Sequence, residues 1–102
     1  MIGRVSTIQI KSGKEEEAVE VLKGAVLKTV SEKVKGYRGV QFLTDSSTGK
    51  GYAISYWDSE EDAIAHEKSG DDQELIDMFN EVFAVPLELI GRYEVLYLDW
   101  HN

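Results

Sequence analysis

His66 is the side chain of this 102-residue chain best suited to proton transfer. An imidazole titrates near neutral pH, and the other histidine, His101, is the penultimate residue. Aromatic and hydrogen-bonding residues flank His66 in sequence: Tyr37, Tyr52, Ser55, Tyr56 and Trp57 before it, Asn80 and Arg92 after it. Each also has a plain packing role. A helix histidine can bond to backbone in a core, tyrosines at strand spacing can fill a core or an interface, and an arginine at a strand start can make a surface ion pair.

Other chemistries are poorly served. The chain has no cysteine, which removes disulfides, thiol nucleophiles and thiolate metal sites together. Two histidines build no zinc site, so no metal is expected, although Asp71, Asp72 and Glu74 could attract a loose divalent ion. The run "STGKG" lacks the spacing of a phosphate loop and lies between two strands, and no Ser-His-Asp arrangement is present. The net charge is −8, and between Asp58 and Glu81 ten acidic residues face Lys68 alone. Such a surface repels phosphate backbones and anionic lipid, so nucleic acid and membranes are not expected partners. With 42% hydrophobic and 29% charged residues, the composition is that of one soluble domain over residues 1–102. The start "MIGRVSTIQIKSGKEEE" has no long apolar run behind a basic segment, and a cytoplasmic location is the expectation.

The elements that must position His66 follow from periodicity. Ile2 to Ile10 alternates as a strand, with Ile2, Arg4, Ser6, Ile8 and Ile10 on one side. Ser12 and Glu15 have capping-box spacing and predict a helix start. Ala18, Val19, Leu22, Ala25, Val26, Thr29 and Val30 form one helical stripe ending near Lys33 or Lys35, with Gly36 as its C-cap. Tyr37 to Thr44 and Lys50 to Trp57 predict a hairpin. Asp58 or Ser59 caps a second helix that carries His66, breaks near Ser69 and Gly70, restarts at Asp71 or Asp72 and ends before Pro86. Gly91 to Leu98 supplies a last strand, and Trp100 and His101 pack at its edge. The order β-α-β-β-α-β predicts an α+β, ferredoxin-like fold: a four-stranded antiparallel sheet with its helices on one face.

That sheet has two apolar faces. In the strand Gly51 to Trp57, Tyr52, Ile54 and Tyr56 lie on one side and Ala53, Ser55 and Trp57 on the other, while the helices cover only one. A second copy is the simplest cover. At roughly 25 cal/mol per Å², burying about 600 Å² of apolar surface per chain contributes on the order of 15 kcal/mol before association costs. A homodimer is expected.

The segment "GYRGVQFLTDSSTGKGYAISYWDSEEDAIAHEKS" resembles the antibiotic biosynthesis monooxygenase-like domains of the dimeric α+β barrel superfamily. Their pattern is G-[FY]-x-G at the second strand, a Trp ending the third, an acidic cap and an A-H-x-x-S helix. Here these are Gly36, Tyr37, Gly39, Trp57, Ala65, His66 and Ser69. The resemblance implies a homodimer with a cavity between each sheet and its helices. One branch of such proteins oxidises phenolic or hydroquinone-like compounds with dioxygen and no cofactor, a second degrades haem, and others are non-catalytic binding or stress-response barrels. The haem branch has a helical Trp, a His ligand about ten residues beyond it and an early Asn; those positions fall on His66, Ile76 and Ser6, so all three are missing. The leading reading that the resemblance implies is a cofactor-independent monooxygenase acting on a small aromatic molecule, with a non-catalytic small-molecule-binding or stress-response barrel as the alternative and haem degradation third. In the leading reading His66 is the base, Arg92 holds a phenolate, Tyr37, Tyr52, Tyr56 and Trp57 wall the cavity, and Ser55 and Asn80 donate hydrogen bonds.

Overall fold

Alternation in four segments and helical stripes between them resolve into one sheet with helices against it. The computed structural model describes residues 1–69 and 73–101. Strand β1 (Ile2–Gln9) leads to helix α1 (Glu15–Ser31), then to the hairpin of β2 (Tyr37–Thr44) and β3 (Lys50–Trp57). Helices α2 (Glu60–Lys68) and α3 (Gln73–Val82) follow, and strand β4 (Glu88–Glu94) completes the sheet. The strand order is β2-β3-β1-β4, with antiparallel neighbours throughout. This is the expected ferredoxin-like α+β arrangement. Helix α2 ends at Lys68 with Ser69 as its C-cap, where a break is expected, while Gly70 and the expected restart at Asp71 or Asp72 lie outside the described residues, and with them those two members of the loose acidic cluster.

Register decides which side chains share a face. Arg4 lies opposite Ser55 of β3 on one side and Arg92 of β4 on the other, and Ser55 in turn lies opposite Val40 of β2. These residues and their alternates Ile8, Ala53, Phe42 and Trp57 face the helices. Tyr52, Ile54 and Tyr56 face away, with Val5, Gln41 and Leu43. The core sits between the helices and the far end of β1: Ile8, Ile10, Ala18, Leu22, Val82 and Phe83 are buried together, with Phe42, Ala53 and Phe79 packed against them. The chain after α3 is tied to β1 by a bridge between Ile10 and Phe83.

Three local expectations change. Ser12 does not cap α1. The helix starts two residues later, with Lys14 at the N-cap and no side-chain cap, because residues 11–14 form a turn in which the Lys14 N–H donates to the Lys11 carbonyl at 3.0 Å. The acids Glu15, Glu16 and Glu17 complement the positive end of the helix instead. At the other end, α1 closes in a Schellman motif centred on Lys33, at φ 52°: the Val34 N–H donates to Thr29 and the Lys33 N–H to Val30. Gly36 is thus not the C-cap. It has a φ of 80°, and α2 lies so close that a Cβ there would overlap the Asp62 carboxylate. Ser59 caps α2 as expected, accepting from the Asp62 N–H at 3.2 Å.

The last strand is displaced from its expected range, running over Glu88–Glu94 rather than Gly91 to Leu98. It ends at Glu94 because Glu94 already lies opposite Ile2, so beyond it β1 has no further residue to pair. Val95 adds one bond to the Met1 carbonyl. Residues 95–101 then have no regular structure, and Trp100, expected to pack at an edge, is 73% exposed, with His101 exposed beside it. Among the described residues, no helix is long and apolar enough to cross a membrane.

Candidate functional site

Arg4 is the residue around which the site is built. Strand alternation puts this cation on the same side of β1 as the core residue Ile8, so its side chain runs under the helices and keeps only 15% of its surface. A buried guanidinium needs acceptors on every side. One nitrogen donates to the Ala63 carbonyl of α2 at 3.2 Å and another to Nδ1 of His66 at 3.3 Å. The guanidinium carbon lies 5.1 Å from the centre of the Trp57 ring, a cation–π distance, and the Glu67 carboxylate is 3.6 Å away.

Trp57, buried at the end of β3, is the platform for these contacts. The His66 ring lies over it with centroids 4.8 Å apart, and the Tyr37 ring meets it edge-on at 5.5 Å. The indole N–H donates to Ser55 Oγ at 2.8 Å, which fixes the ring plane. His66 reaches this place because Ala63, one turn earlier on α2, is fully buried against the sheet and carries its neighbour at i+3 to the same face. Glu67, the next residue, accepts both Nε and an Nη of Arg92. That paired fork spans from α2 to β4.

A cavity of about 570 Å³ opens beside this cluster, between the helix-facing side of the sheet and the three helices. Its wall is aliphatic and aromatic, from Val26, Val40, Phe42, Ala53, Phe79 and Leu89. Arg4, Ser55, Trp57, Tyr37, His66 and Glu67 form one end, and Lys28 and Glu32 of α1 also line the cavity. Ser6 and Ile76 also line it.

The electrostatics follow from burial and pairing. The pKa of His66 lies below its ordinary value, first because burial penalises the imidazolium and then because Arg4 is adjacent; Glu67 and Glu32 offset part of this. A guanidinium has only donors, so the contact with Arg4 makes Nδ1 the acceptor and puts the ring proton on Nε2. Burial also lowers the Arg4 pKa, against the opposing pull of Glu67. Glu67 is held below the usual carboxylate range by its hydrogen bond from Arg92, and burial raises the Tyr37 phenol.

Of the residues expected in a site, His66, Tyr37, Ser55 and Trp57 come together at this end of the cavity. Arg92 joins them only through Glu67. Tyr52 and Tyr56 lie on the other face of the sheet, by the alternation that brings Ser55 and Trp57 in; Tyr52 is 47% exposed and the Tyr56 hydroxyl donates to Gln41. Asn80 is exposed on α3, one residue past the inward-facing Phe79 and so about 100° around the helix. Arg4 and Glu67 were not among the expected residues. The signal for Arg4 is present in the alternation: a charge on the side of β1 that also carries Ile2, Ser6 and Ile8.

The fold and the cavity together define a class, ferredoxin-like α+β domains with a chamber between sheet and helices. The description "antibiotic biosynthesis monooxygenase" fits a family model that matches residues 1–78, and the chain belongs to that family. Solved structures agree on the fold. A candidate antibiotic biosynthesis monooxygenase of Bordetella bronchiseptica is similar with a TM-score of 0.73 at 17% identity, over 94% of this chain and 97% of that one. One of Nitrosomonas europaea has a TM-score of 0.71 at 16% identity, over 94% and 90%. A conserved protein of Methanosarcina mazei has 0.68 at 19%, over 90% and 89%. No curated protein matches the sequence.

Proposed function

We propose that this protein is a cofactor-independent monooxygenase that oxidises a small phenol- or hydroquinone-like aromatic in the cavity, and that it works as a homodimer. The observation that carries the reading is His66: a half-buried imidazole on the wall of an apolar cavity, stacked on Trp57, whose neutral form is favoured by burial and by Arg4. A base must be unprotonated at working pH and within reach of its proton, and this one has its lone pair at Nδ1 beside a cation. The long contact between Nδ1 and Arg4 can open to admit a hydroxyl, whose proton passes to Nδ1 while its oxygen accepts from the guanidinium.

The chemistry then needs only oxygen. The anion of an anthrone-type substrate gives one electron to O2, and the resulting carbon radical and superoxide combine to a peroxide. The peroxide takes back the proton from His66 and loses water, leaving a carbonyl. One oxygen atom enters the product and the other leaves as water; the four electrons come from a CH2 group that becomes C=O. The apolar wall keeps bulk water from the reactive species.

The open face of the sheet supports the dimer: Tyr52, Leu43 and Tyr93 on it are 47%, 44% and 52% exposed. Sedimentation at micromolar concentration is expected to give a dimer, and a stable monomer would remove that part of the reading.

The activity is tested by oxygen uptake with an anthrone or a hydroquinone. Uptake is expected to rise with pH through a titration below the ordinary imidazole value of about 6.5, as the neutral base accumulates. His66→Ala is expected to lose about 100- to 10,000-fold in rate while staying folded. Equal turnover by the two proteins across the acidic limb would eliminate His66 as the base.

A further inference from the structure

Charged side chains line part of the cavity. Among the described residues that line it, the cations Arg4 and Lys28 meet two carboxylates, Glu32 and Glu67, and Arg92 also draws on Glu67 from outside. Lys28 pairs with Glu32 at 3.8 Å, one helical turn away on α1. Arg92 takes both oxygens of Glu67. Arg4 therefore shares a carboxylate that another guanidinium already holds in a fork, and approaches it no closer than 3.6 Å. Its remaining partners, the Ala63 carbonyl and the His66 ring, are neutral acceptors.

A guanidinium with 15% of its surface exposed and a shared counter-ion is an electrostatically unfinished site. The guanidinium faces a cavity whose wall is mostly aliphatic and aromatic, with Lys28 and Glu32 paired to each other, so an anion beside Arg4 would feel its charge with less screening than in water. The fork is also held in place before any ligand arrives: its central carbon sits 5.1 Å over the Trp57 ring, and the Ala63 carbonyl holds one of its nitrogens. Arg92, by contrast, has its fork occupied by Glu67.

We propose that Arg4, rather than Arg92, is the specificity-determining residue of the cavity, and that it selects aromatic ligands bearing an anionic oxygen, a carboxylate or a phenolate. The ring lies against Val40, Phe42 and Phe79, and the charged oxygen meets the guanidinium beside His66. This deepens the monooxygenase reading, because it rests on the same cavity as the substrate site. Its test is equilibrium binding, which does not depend on turnover.

The experiment is calorimetric titration of the full chain at pH 8 with 1-naphthoate and with 1-naphthamide, which have the same shape and differ in charge. Naphthoate is expected to bind about tenfold or more tightly than the amide, with the difference shrinking as salt is raised. Arg4→Gln is expected to erase the preference. Arg4→Lys, which keeps the charge but loses the planar fork, is expected to retain part of it, and so separates loss of charge from loss of folding. Glu67→Gln, which removes the shared counter-ion, is expected to tighten naphthoate several-fold. Equal affinity for the two probes, no binding of either, or an undiminished preference in Arg4→Gln would each overturn the inference. A protein that oxidises anthrone without preferring naphthoate keeps the monooxygenase and loses this inference; one that prefers naphthoate without oxygen uptake does the reverse.

Discussion

Trp57 and Tyr56 are neighbours on one strand, and they live in different environments. Trp57 is 1% exposed, stacked on His66, met edge-on by Tyr37 and bonded to Ser55. Tyr56 lies on the other face, where its hydroxyl bonds to Gln41 and its surroundings include Tyr52, 47% exposed, and Ile54. The covered face combines apolar burial with charged groups that are all partnered; among the described residues no buried side-chain polar atom lacks a hydrogen bond. The open face is aromatic and aliphatic without that network. A sheet with a period of two can thus assign chemistry to one face and association to the other from alternate residues of the same strand. What separates the two is the helix layer, not the composition of the strand.

The comparison can be broken most severely at Trp57. Trp57→Ala removes the platform under both Arg4 and His66 and is expected to cost about 3–5 kcal/mol, read as a large fall in Tm. A mild loss would mean that the covered face is less tightly organised than its contacts indicate. Gly36→Ala tests how closely α2 is pressed onto that face: the left-handed backbone and the overlap with Asp62 predict a loss of about 1–3 kcal/mol in a denaturant titration. Ser59→Ala removes the cap that starts the same helix and is expected to cost about 1 kcal/mol by the same measurement.

Tyr52→Ala sharpens the comparison from the other side. On the open face of a dilute, monomeric chain it is expected to change stability by no more than about 0.5 kcal/mol. A larger loss that grows with protein concentration would show that a second copy covers the face. The smallest effect expected is from pH, since His66 and Glu67 both keep some contact with solvent. Both have folded pKa values below their unfolded ones, so the stability they contribute is fully present above the unfolded values. For His66 it is lost as pH falls from about 6.5 through its folded pKa, and for Glu67 as pH falls from about 4.5 through its own. Chemical denaturation at a series of pH values checks the sign, and His66→Gln is expected to flatten the upper part of the decline.

Much of the fold was legible in the residues because each element carries its own local signal. The hairpin strands match Tyr37 to Thr44 and Lys50 to Trp57 at both ends, and Ser59 caps α2, since alternation and capping depend on near neighbours. Where an element boundary depends on a distant partner, local pattern misleads. Leu96 and Leu98 continue the alternation of β4, yet the strand stops where β1 runs out. Ser12 has the spacing of a cap, but the turn at residues 11–14 begins the helix later.

The same division holds in the site. His66, Trp57 and Ser55 could be placed on the helix side from spacing, because a parity along a strand or a stripe along a helix is a one-dimensional property. Residue type alone groups Tyr52 and Tyr56 with them, but parity puts both tyrosines on the opposite face. The meeting of Arg4 with His66, and of Arg92 with Glu67, spans separations of 62 and 25 residues. Composition and alternation determine which residues face inward, but only the packing of α2 across β1 and β4 decides which inward residues touch. Charge makes that decision consequential, because a buried guanidinium must find its acceptors wherever the tertiary structure brings them.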